Sequence, residues 1–365
     1  MRKTSHGNQA PDAAAPHSPG RAAILADYRR LLVRRTAILA AIGLLCLVAF
    51  LLDISTGPSG LPLGHVWAGL FDPGSLSAPE VTIIRQVRLP YALMAILVGA
   101  ALSLSGAEMQ TILNNPLASP FTLGVSSAAS FGAALAIVLG LSLPFVPADW
   151  MVPLNAFFCA FASVLLLEGL ARSRAAGVEG VVLFGIALVF TFNALVALVQ
   201  FVASQEALSQ LVFWSMGSLA RATWVNLAVL LAVIVLVLPF SLGAAHAMTA
   251  LRLGEDRARS FGIDVQRLRL ASLLRISALA ATSVAFVGTI GFIGLVGPHI
   301  ARLLLGEDHR FLLPASMLTG ALVMSLASVA SKLLVPGVLL PVGIVTSMIG
   351  VPVFLTLILR KPQRV

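Results

Sequence analysis

The lysines of this chain are the first residues to test for phosphate chemistry. A nucleotide-binding loop needs Gly-Lys-Ser/Thr, so that backbone amides and one ammonium group cradle the phosphates. The chain has three lysines, Lys3, Lys332 and Lys361, and none of them follows a glycine. The sequence therefore has no P-loop and predicts a protein without an ATP-hydrolysing site of its own.

The histidines and cysteines show no spacing that would make a metal or catalytic site. The six histidines are scattered without a pair at ligand spacing, and neither HExxH nor GxSxG occurs. Cys46 and Cys159 both fall in apolar runs, so we interpret them as small buried hydrophobic residues. We expect no metal, no cofactor and no enzymatic activity.

The composition indicates an all-α integral membrane protein. Charged residues are 11% of the chain and hydrophobic residues 58%, whereas a soluble domain carries about 25% charged residues. Uncharged apolar runs at 38–52, 225–240 and 342–359 approach the roughly 20 residues that a spanning helix needs. They are not the short alternating segments of a barrel. The net charge of +9 then reflects basic cytoplasmic loops and not nucleic-acid binding.

The positions of lysine and arginine predict the orientation in the membrane. With a cytoplasmic N-terminus, all but four of the 24 basic residues lie inside, and Arg85, Arg88, Arg221 and Lys332 lie outside. This count predicts ten helices with both termini in the cytoplasm. The predicted spans are 36–52, 89–113, 122–143, 151–171, 180–203, 225–242, 270–290, 291–305, 311–331 and 338–359.

The domain organisation follows from the same pattern. Residues 1–35 are predicted to be a disordered, basic cytoplasmic tail, because their first part is rich in Ala, Pro, Ser and His. Residues 36–360 are predicted to form one ten-helix transmembrane domain, with a cytoplasmic loop at 243–270. The segment between Arg275 and Arg302 has basic flanks and several glycines, so we expect two short crossings there.

Four stretches are unusual for generic transmembrane helix. Small residues in them let helix backbones approach closely, and their Asn-Pro and Gly-Pro steps break a helix inside the membrane. A tightly packed bundle and hinges beside a pathway are both compatible with these features. The stretches are QVRLP (86–90) leading to SLSGAEMQ (103–110), NNPLASPFTLGVSSAASFGAA (114–134), GTIGFIGLVGPHIARLL (288–304) and LPVGIVTSMIGVPVF (340–354).

In this order the four stretches resemble the FecCD or BtuC-like family, the iron-siderophore, haem and vitamin B12 permeases of type II ABC importers. The resemblance covers about 36–360. It implies a ten-helix subunit of the bacterial inner membrane that pairs with a second permease copy, two cytoplasmic ATPase subunits and a periplasmic binding protein. It also implies a ferric siderophore as cargo, with haem, cobalamin and molybdate as alternatives.

The resemblance assigns roles to three groups of residues. The loop ALRLGEDRARSFGIDV (250–265) would dock into the ATPase, although a merely solvated connector stays open. Asn193 and Gln200, seven apart on one helix face, would line the pathway, although interhelical hydrogen bonding by these amides stays open. The two helix-breaking pairs would line the pathway or act as hinges. The ATPase-coupling residues implied are Gly254, Glu255, Arg257, Ala258 and Gly262, and the helix-breaking pairs are Asn115, Pro116, Gly297 and Pro298.

External cations of the family pair with carboxylates of the binding protein. Arg88 matches the first such position, Tyr91 stands where an arginine is common, and Lys332 replaces another arginine. Arg85, one turn before Arg88, could supply the missing charge. These cations could instead meet lipid head groups.

The chain departs from the family pattern beside Lys332. Ser328 stands where aspartate is frequent, and Leu339 or Leu340 stands where glutamate is frequent. His299, in the Gly-Pro-His step, is interpreted as a structural hydrogen-bonding residue.

Two readings from other functional classes stay open at this point. An ion-coupled secondary transporter would need acidic residues at broken helices, and Glu108 is the one carboxylate deep in a predicted helix. Glu108 is either such a functional acid or a solvated residue near the cytoplasmic end. An intramembrane enzyme would need paired catalytic residues, which the sequence does not show.

Overall fold

The structure is a computed structural model that describes residues 21–142, 146–171 and 178–359. Within these ranges the chain forms helices and turns, without a β-strand. The helices are α1 (Arg21–Ser55), α2 (Leu63–Phe71), α3 (Ala78–Thr82), α4 (Leu89–Ile112), α5 (Val125–Leu139), α6 (Ala148–Ala171), α7 (Val178–Phe201), α8 (Gln205–Ser215), α9 (Trp224–Gly243), α10 (Ala245–Leu251), α11 (Glu255–Ser260), α12 (Val265–Val287), α13 (Ile293–Leu305), α14 (His309–Leu333) and α15 (Val342–Leu359).

The described part divides into two compact units, residues 21–37 and residues 38–359. The first unit is helical, so residues 21–35 are helical rather than disordered. Alanine, leucine and arginine dominate this segment and favour a helix, and neither glycine nor proline interrupts it. The part of the predicted tail at 1–20 lies outside the described residues, as do the predicted cytoplasmic basic residues at 172, 174, 360, 361 and 364.

The all-α membrane fold is confirmed. Each predicted span overlaps a helix, and seven helical segments have the length and apolar composition to cross a bilayer. The apolar helices Val125–Leu139, Ile293–Leu305 and Val342–Pro352 are shorter, so the number of ten crossings stays a prediction. The seven long segments are Leu25–Ser55, Ala78–Ile112, Ala148–Gly169, Gly180–Phe201, Trp224–Gly243, Val265–Val287 and His309–Leu333.

Helix α4 lies at the centre of the second unit, where it packs against α12, α13 and α14. Glycines make this packing close. A Cβ atom on Gly106 would overlap the carbonyl oxygen of Gly294, and one on Gly99 would overlap the carbonyl oxygen of Gly320. The predicted backbone-to-backbone approach through small residues is therefore present in the helices at the centre.

Two irregular stretches, 113–124 and 288–292, interrupt the bundle and explain why α5 and α13 are short. Asn114 and Phe292 have left-handed φ values of 44° and 68°, a conformation that costs energy for residues other than glycine. The Phe121 ring lies against Gly291, so the two stretches meet. Irregular backbone inside a bilayer needs protein or water around it, and this contact supplies protein at the point where the two stretches meet.

The bundle has two ends, named here for the short helices that lie at them. At the α2 end, the C-termini of α1 and α14 meet the N-terminus of α4, through side chains of Asp53, Arg88 and Lys332. At the α10 end, the C-terminus of α4 meets α10, the first turns of α12 and the first residue of α14. The arginine count predicts that the α2 end faces the periplasm and the α10 end the cytoplasm.

Candidate functional site

Arg88, predicted to receive the binding protein, is only 5% exposed. Its Nη1 donates to the carbonyl oxygens of Ile54 at 3.3 Å and Ser55 at 3.2 Å, and its Nη2 donates to Ser59 Oγ at 2.8 Å. The last carbonyl groups of a helix have no intrahelical donor. Arg88 therefore ties α4 to the C-terminal end of α1.

Arg85 has a similar role one turn earlier in the chain. Its Nε donates to the carbonyl oxygen of Gly69 at 2.9 Å and its Nη2 donates to that of Leu70 at 3.0 Å. Arg85 is half-buried and holds the end of α2. The docking role of Arg85 and Arg88 stays a prediction, and both guanidinium groups already have partners within the chain.

Lys332 is also buried, and its charge is matched inside the protein. Its Nζ donates to Asp53 Oδ1 at 2.6 Å and to the Asp53 carbonyl oxygen at 2.7 Å. Ser328 Oγ donates to the same Oδ1 at 2.6 Å. The ring of Tyr91 lies 4.6 Å from Nζ, a cation–π distance.

Asp53 is the residue of this end that sequence reasoning missed. Beside Lys332, Ser328 and a leucine before Pro341 stand where the family often has acids. The structure supplies the carboxylate from α1 instead. The available signal was Asp53 itself, an acid at the end of the first long apolar run, whose burial requires a cation.

The predicted pathway residues lie on α7. Asn193 is exposed and Gln200 is half-buried, on a helix whose apolar side chains are largely exposed as well; Phe190, for example, is 72% exposed. An exposed face of this kind meets lipid or another protein chain. The assignment of Asn193 and Gln200 to a transport path stays a prediction.

A cavity of about 930 Å³ opens near the α2 end, between α6, α8, α9 and α12. Its lining includes the aromatic rings of Trp150, Phe213, Trp214 and Phe286, together with Arg221. The guanidinium carbon of Arg221 lies 5.9 Å from the centre of the Trp214 ring. This volume and mixed lining are typical of sites for small organic molecules.

The four helix-breaking residues lie in different environments. Gly297 and Pro298 are buried, and a Cβ atom on Gly297 would overlap Ser103 of α4. Asn115 and Pro116 lie in the turn after α4, where Asn115 Oδ1 accepts the backbone N–H of Leu117 at 2.9 Å. Gly297 thus serves close packing, while their roles as hinges or path residues stay predictions.

The loop predicted to dock into an ATPase forms α10, a glycine turn, α11 and a second glycine turn. Gly254 and Gly262 have φ values of 111° and 79°, which side chains adopt with strain. Ala258 is fully buried and Arg257 is exposed. The side chain of Glu255, at the start of α11, accepts hydrogen bonds from Arg259 at 3.2 Å and from Arg269.

Two apolar side chains extend from this polar loop. Leu253, just before α11, is 54% exposed, and Phe261, just after it, is 66% exposed. Charged residues surround both positions in the sequence. The loop therefore presents two exposed apolar side chains among charged residues.

Glu108 is fully buried and paired, which excludes the reading of a solvated acid. Arg275 Nη2 lies 2.8 Å from Glu108 Oε2, and Arg275 Nε donates to Oε1 at 3.1 Å. Arg275 Nη2 also donates to Ser272 Oγ at 2.8 Å. The pair joins α4 to α12 and neutralises both charges inside the bundle.

No group of three or more histidine, cysteine, aspartate or glutamate side chains that could hold a metal occurs in the part of the chain that the structure describes. His65 and Glu80 form a pair without a third such side chain among the described residues, with His65 Nδ1 2.8 Å from Glu80 Oε1. The absence of a resident metal stays a prediction for the whole chain.

The sequence matches the FecCD transport family over residues 45–360. It is 36% identical to the vitamin B12 import system permease protein BtuC of Vibrio parahaemolyticus, over 82% of this chain and 89% of that protein. It is 38% identical to the hemin transport system permease protein HmuU of Yersinia pestis, over 76% of this chain and 84% of that protein.

Two further comparisons agree. The chain is 35% identical to the Fe(3+) dicitrate transport system permease protein FecD of Escherichia coli, over 80% of this chain and 90% of that protein. A solved ABC transporter, described as metal-chelate type and inward-facing, superposes with a TM-score of 0.77 at 32% identity. That match covers 88% of this chain and 99% of that one.

Proposed function

Since this chain belongs to the FecCD transport family and is a permease subunit of a type II ABC importer in the bacterial inner membrane, we propose that it carries a ferric siderophore from the periplasm to the cytoplasm. Separate ATPase subunits drive the transport. A periplasmic binding protein delivers the cargo at the α2 end, and a second copy of the permease completes the path.

The loop of α10 and α11 supports the energetic part of this proposal. The chain has no phosphate-binding lysine, so ATP must be hydrolysed on another subunit. Leu253 and Phe261 offer apolar contacts on either side of α11, while Arg257 offers a charge. Such a surface, at the end predicted to face the cytoplasm, suits an ATPase partner.

The cargo is proposed from the relatives. BtuC, HmuU and FecD are named for vitamin B12, hemin and ferric dicitrate, and each of these is a metal held by an organic ligand. Two of the three contain iron, which favours an iron chelate here. Haem, cobalamin and molybdate are the alternatives within the same class of importer.

A reconstituted complex tests this proposal. The permease, its ATPase and its binding protein would be placed in proteoliposomes, and ATP-dependent uptake measured for a ferric siderophore, ferric citrate, haem, cobalamin and molybdate. We expect saturable uptake of the siderophore and none without the ATPase. Preference for another cargo would replace the siderophore while leaving the importer class intact.

The ion-coupled alternative makes a different prediction. It would require a carboxylate that takes up and releases a proton or cation, and Glu108 is held by Arg275 in the described structure. Uptake that persists without the ATPase and collapses when an ionophore dissipates the gradient would favour this alternative. We expect uptake through the complete complex to be insensitive to the ionophore.

A further inference from the structure

The α4 clamp is a group of side chains at the α10 end that fastens three separate elements together. The first element is α10 with the residue after it, the second is the end of α4 with the turn after it, and the third is the start of α14 with the turn before it. Their side chains are, in this order, Thr249 and Arg252, Thr111 and Asn114, and His309 and Glu307. These positions are 55 to 198 residues apart in the pairs that make contact.

The first half of the clamp is a histidine between two threonines. His309 Nε2 lies 2.7 Å from Thr111 Oγ1, and His309 Nδ1 lies 3.2 Å from Thr249 Oγ1. Thr249 Oγ1 also accepts the backbone N–H of His309 at 3.0 Å. His309 is fully buried, so these contacts are the bridge between α4 and α10.

The protons available on His309 and the two threonines limit which of these groups can donate a hydrogen bond. A neutral imidazole has one N–H donor and one acceptor nitrogen, and each threonine has one hydroxyl proton. Thr249 is satisfied if it donates to the Ala245 carbonyl oxygen at 2.9 Å and accepts both His309 N–H groups. Thr111 then donates to His309 Nε2 instead of to the Ala107 carbonyl oxygen. In the other tautomer, Nε2–H donates to Thr111 and Thr249 donates to Nδ1, so in either case one threonine gives up the bond to its own helix.

The second half of the clamp is ionic. Arg252 Nη1 donates to Asn114 Oδ1 at 2.6 Å, and Arg252 Nη2 donates to Glu307 Oε1 at 3.0 Å. Arg302 Nε lies 3.0 Å from the same oxygen. Burial raises the pKa of Glu307, but the charges of Arg302 and Arg252 outweigh it and hold that pKa below its usual value. Glu307 therefore stays ionised and keeps Arg252 in place.

The clamp acts on a strained part of the backbone. Asn114, which Arg252 holds, has a left-handed φ of 44° and begins the irregular stretch 113–124. That stretch leads to Phe121, which lies against Gly291 in the second irregular stretch. A displacement of α10 would therefore reach the interrupted helices at the centre of the bundle through Arg252 and His309.

We propose that the α4 clamp transmits movement of the α10–α11 loop to the end of α4, with His309 and Arg252 as positioning residues for transport. The proposal rests on the proposed function, because it needs an ATPase that moves this loop. In addition, α4 is the element that receives the movement, and the neutral His309 ring is the bridge that connects it to α10.

The test measures transport per ATP hydrolysed in the reconstituted complex. We expect Thr111→Val, Thr249→Val and Arg252→Gln each to lower this ratio by about two- to thirtyfold, the range found for residues that couple distant sites. Because one ring joins both threonines, the double variant Thr111→Val/Thr249→Val should lose little more than either single one. His309→Gln, which keeps a donor and an acceptor, should retain more coupling than His309→Ala.

The matched control is Thr282→Val on α12. The Thr282 hydroxyl is also buried, and it donates only to Ala278 of its own helix at 2.7 Å. This variant should keep the wild-type ratio. Thermal midpoint and yield of the assembled complex, measured for every variant, separate lost coupling from misfolding.

Three kinds of result would overturn the proposal in whole or in part. If the clamp variants assemble and keep the wild-type ratio of transport to hydrolysis, the α4 clamp does not transmit the movement of the loop. The proposed importer function would be unaffected by this result. If the two threonine substitutions are additive, or if His309→Gln is no better than His309→Ala, the histidine bridge is wrong. A wild-type complex that neither binds an ATPase nor imports would remove the proposed function, and the clamp with it.

Discussion

At the α2 end, Arg88 and Lys332 are 5% and 7% exposed and contact backbone carbonyls or Asp53, whereas at the α10 end Arg257 and Arg259 extend from an exposed helix. The rule that counts basic residues assigns each group to a side of the membrane. It does not say whether a cation is available to a partner. In the described structure, Arg257 and Arg259 are exposed to a partner, whereas Arg88 and Lys332 are buried.

The difference has an energetic consequence. A buried cation must be paired, and removal of its partner leaves an uncompensated charge. An exposed ion pair contributes little, because water screens it and two long side chains must be ordered. Substitutions at the α2 end should therefore change folding, and those at the tip of the α10 end should change partner binding.

The largest expected effect is at Lys332. Lys332→Met would leave Asp53 buried without its cation and should reduce the free energy of unfolding by about 3–5 kcal/mol. The double variant Asp53→Asn/Lys332→Met removes both charges and should recover most of this loss. The unfolding midpoint in detergent measures both. An unchanged midpoint for Lys332→Met would mean that Asp53 is not held as a charged partner.

The helices were predictable from the sequence, and the pairings were not. Uncharged runs and basic flanks place the spans, and the glycines from 288 to 297 predict the interruption before α13. Asp53 and Lys332 are 279 positions apart, and Glu108 and Arg275 are 167 apart. No local spacing joins such residues, because the packing of distant helices decides which side chains meet.

A buried ion pair also occurs deeper in the bundle, where Glu108 of α4 meets Arg275 of α12. Glu108→Gln keeps a hydrogen-bond acceptor for Arg275 but removes its countercharge. We expect a loss of about 1.5–3 kcal/mol, the range for hydrogen bonds to charged groups, again measured by unfolding in detergent. A stabilised variant would show that desolvation of the pair outweighs its attraction.

At Gly254, in the turn before α11, the prediction depends on backbone conformation and not on charge. Gly254→Ala places a side chain at a φ of 111°, at a local cost of about 1–3 kcal/mol. The loop has room for the methyl group, so the strain should displace the start of α11, weaken ATPase binding severalfold and lower the free energy of unfolding by no more than this local cost. Gly243→Ala, in helical backbone with equal room, should change neither quantity.

Arg259 is expected to have the smallest effect on stability and gives the cleanest contrast with Lys332. Its side chain is 58% exposed and lies 3.2 Å from Glu255 and 3.8 Å from Asp256, so Arg259→Gln should change the free energy of unfolding by less than about 1 kcal/mol. If the exposed arginines of this end serve a partner, the same variant should weaken ATPase binding at low salt and lose that difference at high salt, because ions screen exposed charges. A large drop in the unfolding midpoint would instead place Arg259 with the buried cations, and the division between the two ends would not hold.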